Sequence, residues 1–250
     1  MNLIRKIIKP HSKEDEVYYN DLKKVLNYSP RKLNHYKKAF THKSVKTVDK
    51  KGNPINYERL EFLGDAMLGS VIASYLYKKA PKETEGYLTQ MRSKIVSREH
   101  LNELGKDLNL IRFVKSNVEN NKIGDNIHGN IFEALIGAIY IDKGYKSCQE
   151  FIFKKVIDPY VDITKLEGKI TSYKGLIIER CQKQKKEYSF SSYEDTGNES
   201  VKHFSVKLKI DGEIISKGRA TSKKRAEEKA AKRAYFVFQD NPIINILKNK

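Results

Sequence analysis

Glu61 and Asp65 lie four residues apart in the run Glu58-Arg59-Leu60-Glu61-Phe62-Leu63-Gly64-Asp65. Leu60, Leu63, Met67, Leu68, Val71 and Ile72 recur at helical spacing, so the run reads as the start of a buried helix. Residues four apart are about one turn apart, so both carboxylates project from one face. Like charges there repel by a few tenths of a kcal/mol even in water. Partial burial, with Phe62, Leu63 and Gly64 crowding between them, sharpens the repulsion. A divalent cation is the usual agent that offsets it; the plainer reading is two solvated surface carboxylates. Gly64 inside a helix costs about 1 kcal/mol relative to Ala, which the close approach of another backbone would explain.

Asn130 and Glu133 form a second pair of oxygen donors, three residues apart in another apolar run that includes Ile131, Phe132, Leu135, Ile136 and Ile139. Two helices that each present two oxygen ligands can build one hard-cation site. Mg²⁺ takes oxygen ligands in octahedral geometry and keeps several waters. Such a site activates water and stabilises the charge of a phosphodiester transition state. A salt-bridged buried carboxylate is the alternative for Glu133. That alternative is weakened because no Lys or Arg lies within one turn on the same run.

The elements that must position these residues are helical. The pattern predicts helices from Tyr18, over about 32–40, 57–79 and 86–104 with Gly105 as a stop, then 130–140 and 145–157. Residues 1–16 read as a loosely docked terminus, 46–55 and 116–128 as loops, and 161–171 as a linker containing Gly168. After it the texture changes. A helix over 172–185 precedes alternating runs at 188–193, 204–210 and 214–220, and an Ala-rich helix closes the unit over 222–238. Asp211-Gly212 is a hairpin turn signal. The reading is therefore an all-α domain over 18–160, then a small α+β domain of α-β-β-β-α order over 172–240.

The 250-residue chain carries 49 basic and 31 acidic residues, a net charge of +18. That excess favours a polyanionic partner. Residues 169–250 hold 19 basic and 10 acidic residues, half of the excess in a third of the chain. Lys223, Lys224 and Arg225 concentrate it at the start of the last helix, where Ser222 can cap and the dipole adds to the pull on an anion. No apolar run is long enough to cross a membrane, and Met1–Pro10 lacks the apolar core of a secretory signal. Cys148 and Cys181 show no metal-ligand spacing, so the chain reads as cytoplasmic and reduced.

The run Glu58–Asp65 resembles the signature of the ribonuclease III family. Ala39-Phe40-Thr41-His42-Lys43-Ser44 resembles the segment before it, and Glu85-Gly86 with Gln90-Met91-Arg92 the helix after it. Phe132-Glu133-Ala134-Leu135-Ile136-Gly137-Ala138 resembles the family's last acidic motif. The second unit resembles a double-stranded RNA-binding domain. Such domains read A-form shape across two minor grooves and the phosphates between them.

The resemblance implies an endonuclease domain that dimerises with itself and holds Mg²⁺, with Mn²⁺ as a substitute. Its metal positions would be Glu61, Asp65, Asn130 and Glu133, and its catalytic residues Asp65, Glu133 and Glu61. It further implies cleavage of double-stranded RNA to 5′-phosphate and 3′-hydroxyl ends, in RNA processing such as ribosomal precursor maturation. Glu58 and Glu85 match acidic positions near the cut. Lys223 and Lys224 would grip phosphates, while Glu179 and Gln182 would reach 2′-hydroxyls. No small-molecule cofactor is implied. Three departures stand out: Asn130 replaces the usual Asp, Ile178 a frequent Gln, and Ser200 stands roughly where a loop His is common. Asp125 is a nearby carboxylate that could compensate for Asn130. The alternative to the enzyme is a duplex-RNA-binding protein on the same scaffold whose chemistry Asn130 has weakened. His42, beside Thr41 and Ser44, reads as a hydrogen-bonded packing residue.

Overall fold

A computed structural model describes residues 12–118, 123–124, 126–168, 170, 172–193 and 203–240. The chain divides into two compact units, 1–169 and 170–250. In the first unit the elements are α1 (Lys13–Leu26), α2 (Leu33–Ala39), α3 (Glu58–Lys79), α4 (Glu85–Ile95), α5 (Arg98–Asp107), α6 (Ile127–Lys143), α7 (Tyr145–Ile152), α8 (Asp158–Tyr160) and α9 (Ile163–Glu167).

α6 is the axis of this unit. Ile131, Phe132, Leu135, Ile136 and Ile139 are fully buried on it, and each such side chain contributes roughly 1.5–3 kcal/mol by leaving water. α3 packs along α6 more extensively than any other helix pair of the unit, and α5, α2 and α7 cover its other sides. Asp142, near the end of α6, accepts hydrogen bonds from the Arg31 and Lys32 amides (2.8 Å each) and from the Tyr36 hydroxyl (3.0 Å). It thereby caps α2, whose own N-cap residue makes no side-chain bond.

Several boundaries differ from the sequence expectation, each for a local reason. α1 begins at Lys13, not near Tyr18, because Ser12 accepts from the Asp15 amide and three acids fill the first turn. The helix expected over 86–104 is two helices. Ser97 caps α5 through the His100 amide and breaks the run. Gly105 does not end α5; a Cβ there would lie 2.2 Å from the His128 carbonyl oxygen, so this glycine admits the α6 backbone. α6 starts at Ile127, three residues before the expected 130. Within the stretch 161–171, α9 packs on α4, where the buried Lys94 ammonium donates to the Leu166 and Glu167 carbonyls at 2.7 and 3.2 Å. Asp125 and Ser200 lie outside the described residues.

The second unit has α10 (Tyr173–Lys183), β1 (Tyr188–Tyr193), β2 (Phe204–Ile210), β3 (Glu213–Ala220) and α11 (Lys223–Asp240). The three strands form one antiparallel sheet in the order β1-β2-β3. Asp211 and Gly212 both take positive φ (51° and 83°), the conformation a two-residue hairpin turn demands. Both helices pack on the sheet through Ile177, Cys181, Leu208, Ile210, Ala230, Ala231, Ala234 and Phe238. Glu228 of α11 caps α10, accepting from the Tyr173 amide at 2.6 Å and the Ser172 hydroxyl at 3.0 Å.

Candidate active site

The site starts from a backbone crossing. A Cβ at Gly64 of α3 would fall 1.7 Å from the Glu133 carbonyl oxygen, and one at Gly137 of α6 would fall 2.2 Å from the Leu60 carbonyl oxygen. Only paired glycines admit this approach. The crossing sets Glu61 and Asp65, which flank Gly64, beside Asn130 and Glu133. The start of α3 is fixed independently: the Tyr57 amide donates to the Thr41 carbonyl at 3.0 Å, and Thr41 bridges to Lys115. Next to it the buried His42 holds Ser44 Oγ through Nδ1 at 2.9 Å, and Ser44 in turn bonds Ser116 at 3.2 Å. His42 is thus a packing and capping group.

The carboxylates sense one another. Burial pushes the Glu133 carboxyl up to about 7, and Asp65 and then Glu61 push in the same direction, with Arg98 opposing. Burial also raises Glu61, with Glu58 and Asp65 adding and Arg98 and Lys43 opposing. Asp65 itself is exposed, Glu61 and Glu133 are half-buried, and Phe62 does not crowd between the first pair: it points out, 80% exposed. The α3 run is thus buried through Leu60, Gly64, Leu68, Val71 and Ile72 rather than through Phe62.

Two residues of the site were not legible as such. Arg98, the first residue of α5, donates from Nη1 to Asn130 Oδ1 at 3.2 Å. Tyr57 is buried, which raises its pKa, and the nearby Asn130 side chain moderates that rise. A guanidinium only donates, so the amide oxygen must face Arg98, and the amide nitrogen is left for Tyr57. No local period links Arg98 to Asn130, 32 residues away.

Three acidic oxygen donors and one amide oxygen, on two helices in backbone contact, suit a hard cation. Among the described residues no three His, Cys, Asp or Glu side chains close into a ready cage. Mg²⁺ does not need one, since it keeps several waters and takes only one or two carboxylates. The mutual repulsion seen at Glu133 is the property a dication would relieve.

The remaining predicted residues fall in three places. Glu58 is exposed in the first turn of α3, bonded to Asn56 and 3.6 Å from Lys43. Glu85 opens α4 and accepts from Thr89 at 2.7 Å. In the second unit Glu179 pairs with Lys183 at 2.7 Å and Gln182 is exposed on the same helix. Lys223 and Lys224 are exposed in the first turn of α11, where Ser222 accepts from the Arg225 amide at 3.3 Å, the cap the sequence suggested. Cys148 and Cys181 are both buried free thiols.

Residues 33–160 match the family model described as ribonuclease-III-like, and residues 173–235 match the double-stranded RNA binding motif. The chain is 63% identical over 240 residues to the protein named ribonuclease 3 of Zunongwangia profunda, covering 96% of this chain and 99% of that one. The chain belongs to the ribonuclease III family. It is also 59% identical to the ribonuclease 3 of Flavobacterium psychrophilum, over 96% of this chain and 98% of that protein. The solved nuclease domain of ribonuclease III from Campylobacter jejuni matches 56% of this chain and 96% of its own, at 33% identity and a TM-score of 0.50. That structure is described by its flexibility in a region involved in dimer formation. The family match over 33–160 contains all four donors and both glycines of the crossing; the motif match contains Glu179, Gln182, Lys223 and Lys224. No helix among the described residues is long and apolar enough to cross a membrane.

Proposed function

We infer that this chain is an endoribonuclease that cuts double-stranded RNA. The observation that supports the reading is the Gly64–Gly137 crossing, at which Glu61, Asp65 and Glu133 are electrostatically coupled and Arg98, which acts on Glu61 and Glu133, donates to Asn130. Bound at these four residues, Mg²⁺ would supply an activated water and charge stabilisation at the phosphate, leaving 5′-phosphate and 3′-hydroxyl ends. The chain's own contribution is to hold the donors rigidly on helices and to set their charge. The second unit supplies affinity: exposed Lys223 and Lys224 at the capped start of α11 meet phosphates, and Glu179 and Gln182 on α10 suit contacts to 2′-hydroxyls.

The outer face of α3 supports a homodimer. Phe62 and Tyr77 stand 80% and 72% exposed at the two ends of a stripe that runs through Ala66, Gly69 and Ala73. Uncovered aromatic residues in line on one helix mark a surface that another chain covers, and a second copy would bring a second acid cluster to the opposite strand. Processing of ribosomal and other structured RNA in the cytoplasm is the setting this activity fits.

The test is a cleavage assay on a long RNA duplex. Cutting is expected with Mg²⁺ or Mn²⁺ and not in chelator, and Glu133→Gln is expected to abolish cutting while duplex binding persists. Binding without cutting at any concentration of either metal would sink the enzyme reading.

A further inference from the structure

Arg98 is an odd residue for its place. It occupies the first turn of α5, behind the Ser97 cap, where the helix dipole disfavours a cation. It is exposed, so burial does not hold it there. Yet its Nη1 is fixed at 3.2 Å from Asn130 Oδ1, the same amide oxygen that the proposed metal site would use. Among the described residues, Glu58 and Lys43 also act on Glu61, from the start of α3 and the turn before it; they lie 3.6 Å from each other and offset one another. Arg98 is therefore the cation that balances Glu61 and Glu133 together. Three carboxylates and one guanidinium give the metal-free cluster a formal charge of −2. Asn130 gives Arg98 an acceptor without adding a fourth negative charge.

We propose that Arg98 is an internal counter-ion of the metal site: in the metal-free chain its guanidinium occupies the Asn130 amide oxygen, and an incoming divalent cation must displace it. The proposal rests on the metal-site reading above and adds to it a device that sets how tightly the cation is held. Displacement implies competition. Removing the guanidinium leaves the donors in place and removes a positive charge that repels the incoming ion.

The experiment is calorimetric titration of Mn²⁺ into the full chain without RNA, for the unsubstituted protein, Arg98→Ala and Arg98→Lys. Arg98→Ala is expected to bind Mn²⁺ about tenfold more tightly, the scale set by a unit charge a few ångströms from a dication in water. Arg98→Lys, which restores the charge, is expected to return to within about twofold of the unsubstituted protein. Unchanged or weaker binding by Arg98→Ala overturns the proposal and leaves the metal site standing. So does Arg98→Lys binding as tightly as Arg98→Ala. If the unsubstituted protein takes up no Mn²⁺ while Glu133→Gln behaves identically, the metal-site reading fails and the proposal with it.

Discussion

Gly64 lies so close to Glu133 that a methyl group on its α-carbon would stand 1.7 Å from the Glu133 carbonyl oxygen. The obstacle is backbone, not a movable side chain, so α3 and α6 would have to separate. Overpacking a core typically costs about 1–3 kcal/mol, and a clash with main chain belongs at or above the top of that range. Gly64→Ala is expected to lower stability by about 3 kcal/mol or more in urea unfolding. Cleavage should fall with it, because the same separation pulls Glu61 and Asp65 away from Glu133. A loss below about 1 kcal/mol would show that the helices are not in contact here.

Glu133 makes metal-free stability depend on pH. Its carboxyl is raised from 4.5 to about 7 in the folded chain, chiefly by burial. Between those values the folded state keeps a proton that the unfolded state has released. The Glu133 contribution to stability is therefore greatest below about pH 4.5, falls as pH rises toward 7, and levels off above it. The carboxylate is only partly shielded, so the loss is discounted to about 1–2 kcal/mol. In chelator, Glu133→Gln should flatten this part of the profile and melt higher than the unsubstituted protein at pH 8. An identical pH profile for the two would mean that Glu133 is not the group responsible.

The sequence announced the donors and one glycine because those rest on local rules. Glu61 and Asp65 share a face by spacing alone, and a glycine inside an apolar helix asks for a close neighbour. Asp211-Gly212 and Ser222 were equally readable, since turn and cap chemistry is local. Arg98 was not, because its partner Asn130 is 32 residues away and no period links them. Phe62 was misplaced for a related reason: an apolar residue in an apolar helix looks buried until the packing partner of each face is known. Gly105 carried the same ambiguity, since helix stop and backbone contact both call for glycine.

Asn130 is the point within the proposed metal site where this chain departs from the family pattern. An amide oxygen can ligate but adds no charge. Asn130→Asp is expected to lower the Mg²⁺ concentration for half-maximal cleavage several-fold, with Arg98 taking the new carboxylate as its partner in the metal-free state. Titrating cleavage rate against Mg²⁺ for both proteins checks this. An unchanged or higher requirement would show that position 130 does not face the cation.

Phe62 tests the dimer. Its side chain is 80% exposed at one end of the α3 stripe and is absent from the buried core. Phe62→Glu should leave the fold intact and place a charge in the proposed contact. Sedimentation equilibrium is expected to find a dimer for the unsubstituted chain and a monomer for the variant, with duplex cleavage reduced. A variant that sediments as a dimer would move the interface elsewhere.

Lys223 and Lys224 test the proposed phosphate contacts of the second unit. Both are exposed in the first turn of α11, so replacing them with Ala should leave the unit folded. Each phosphate contact releases about one counterion, and the salt dependence of binding counts them. The double variant is therefore expected to bind duplex RNA more weakly at every salt concentration. Its plot of log affinity against log salt should be shallower by about one to two units. The loss should also be similar for unrelated duplex sequences, since phosphates carry no sequence information. Weaker binding with an unchanged slope would mean that the two lysines act through the fold of α11 and do not touch the backbone of the RNA.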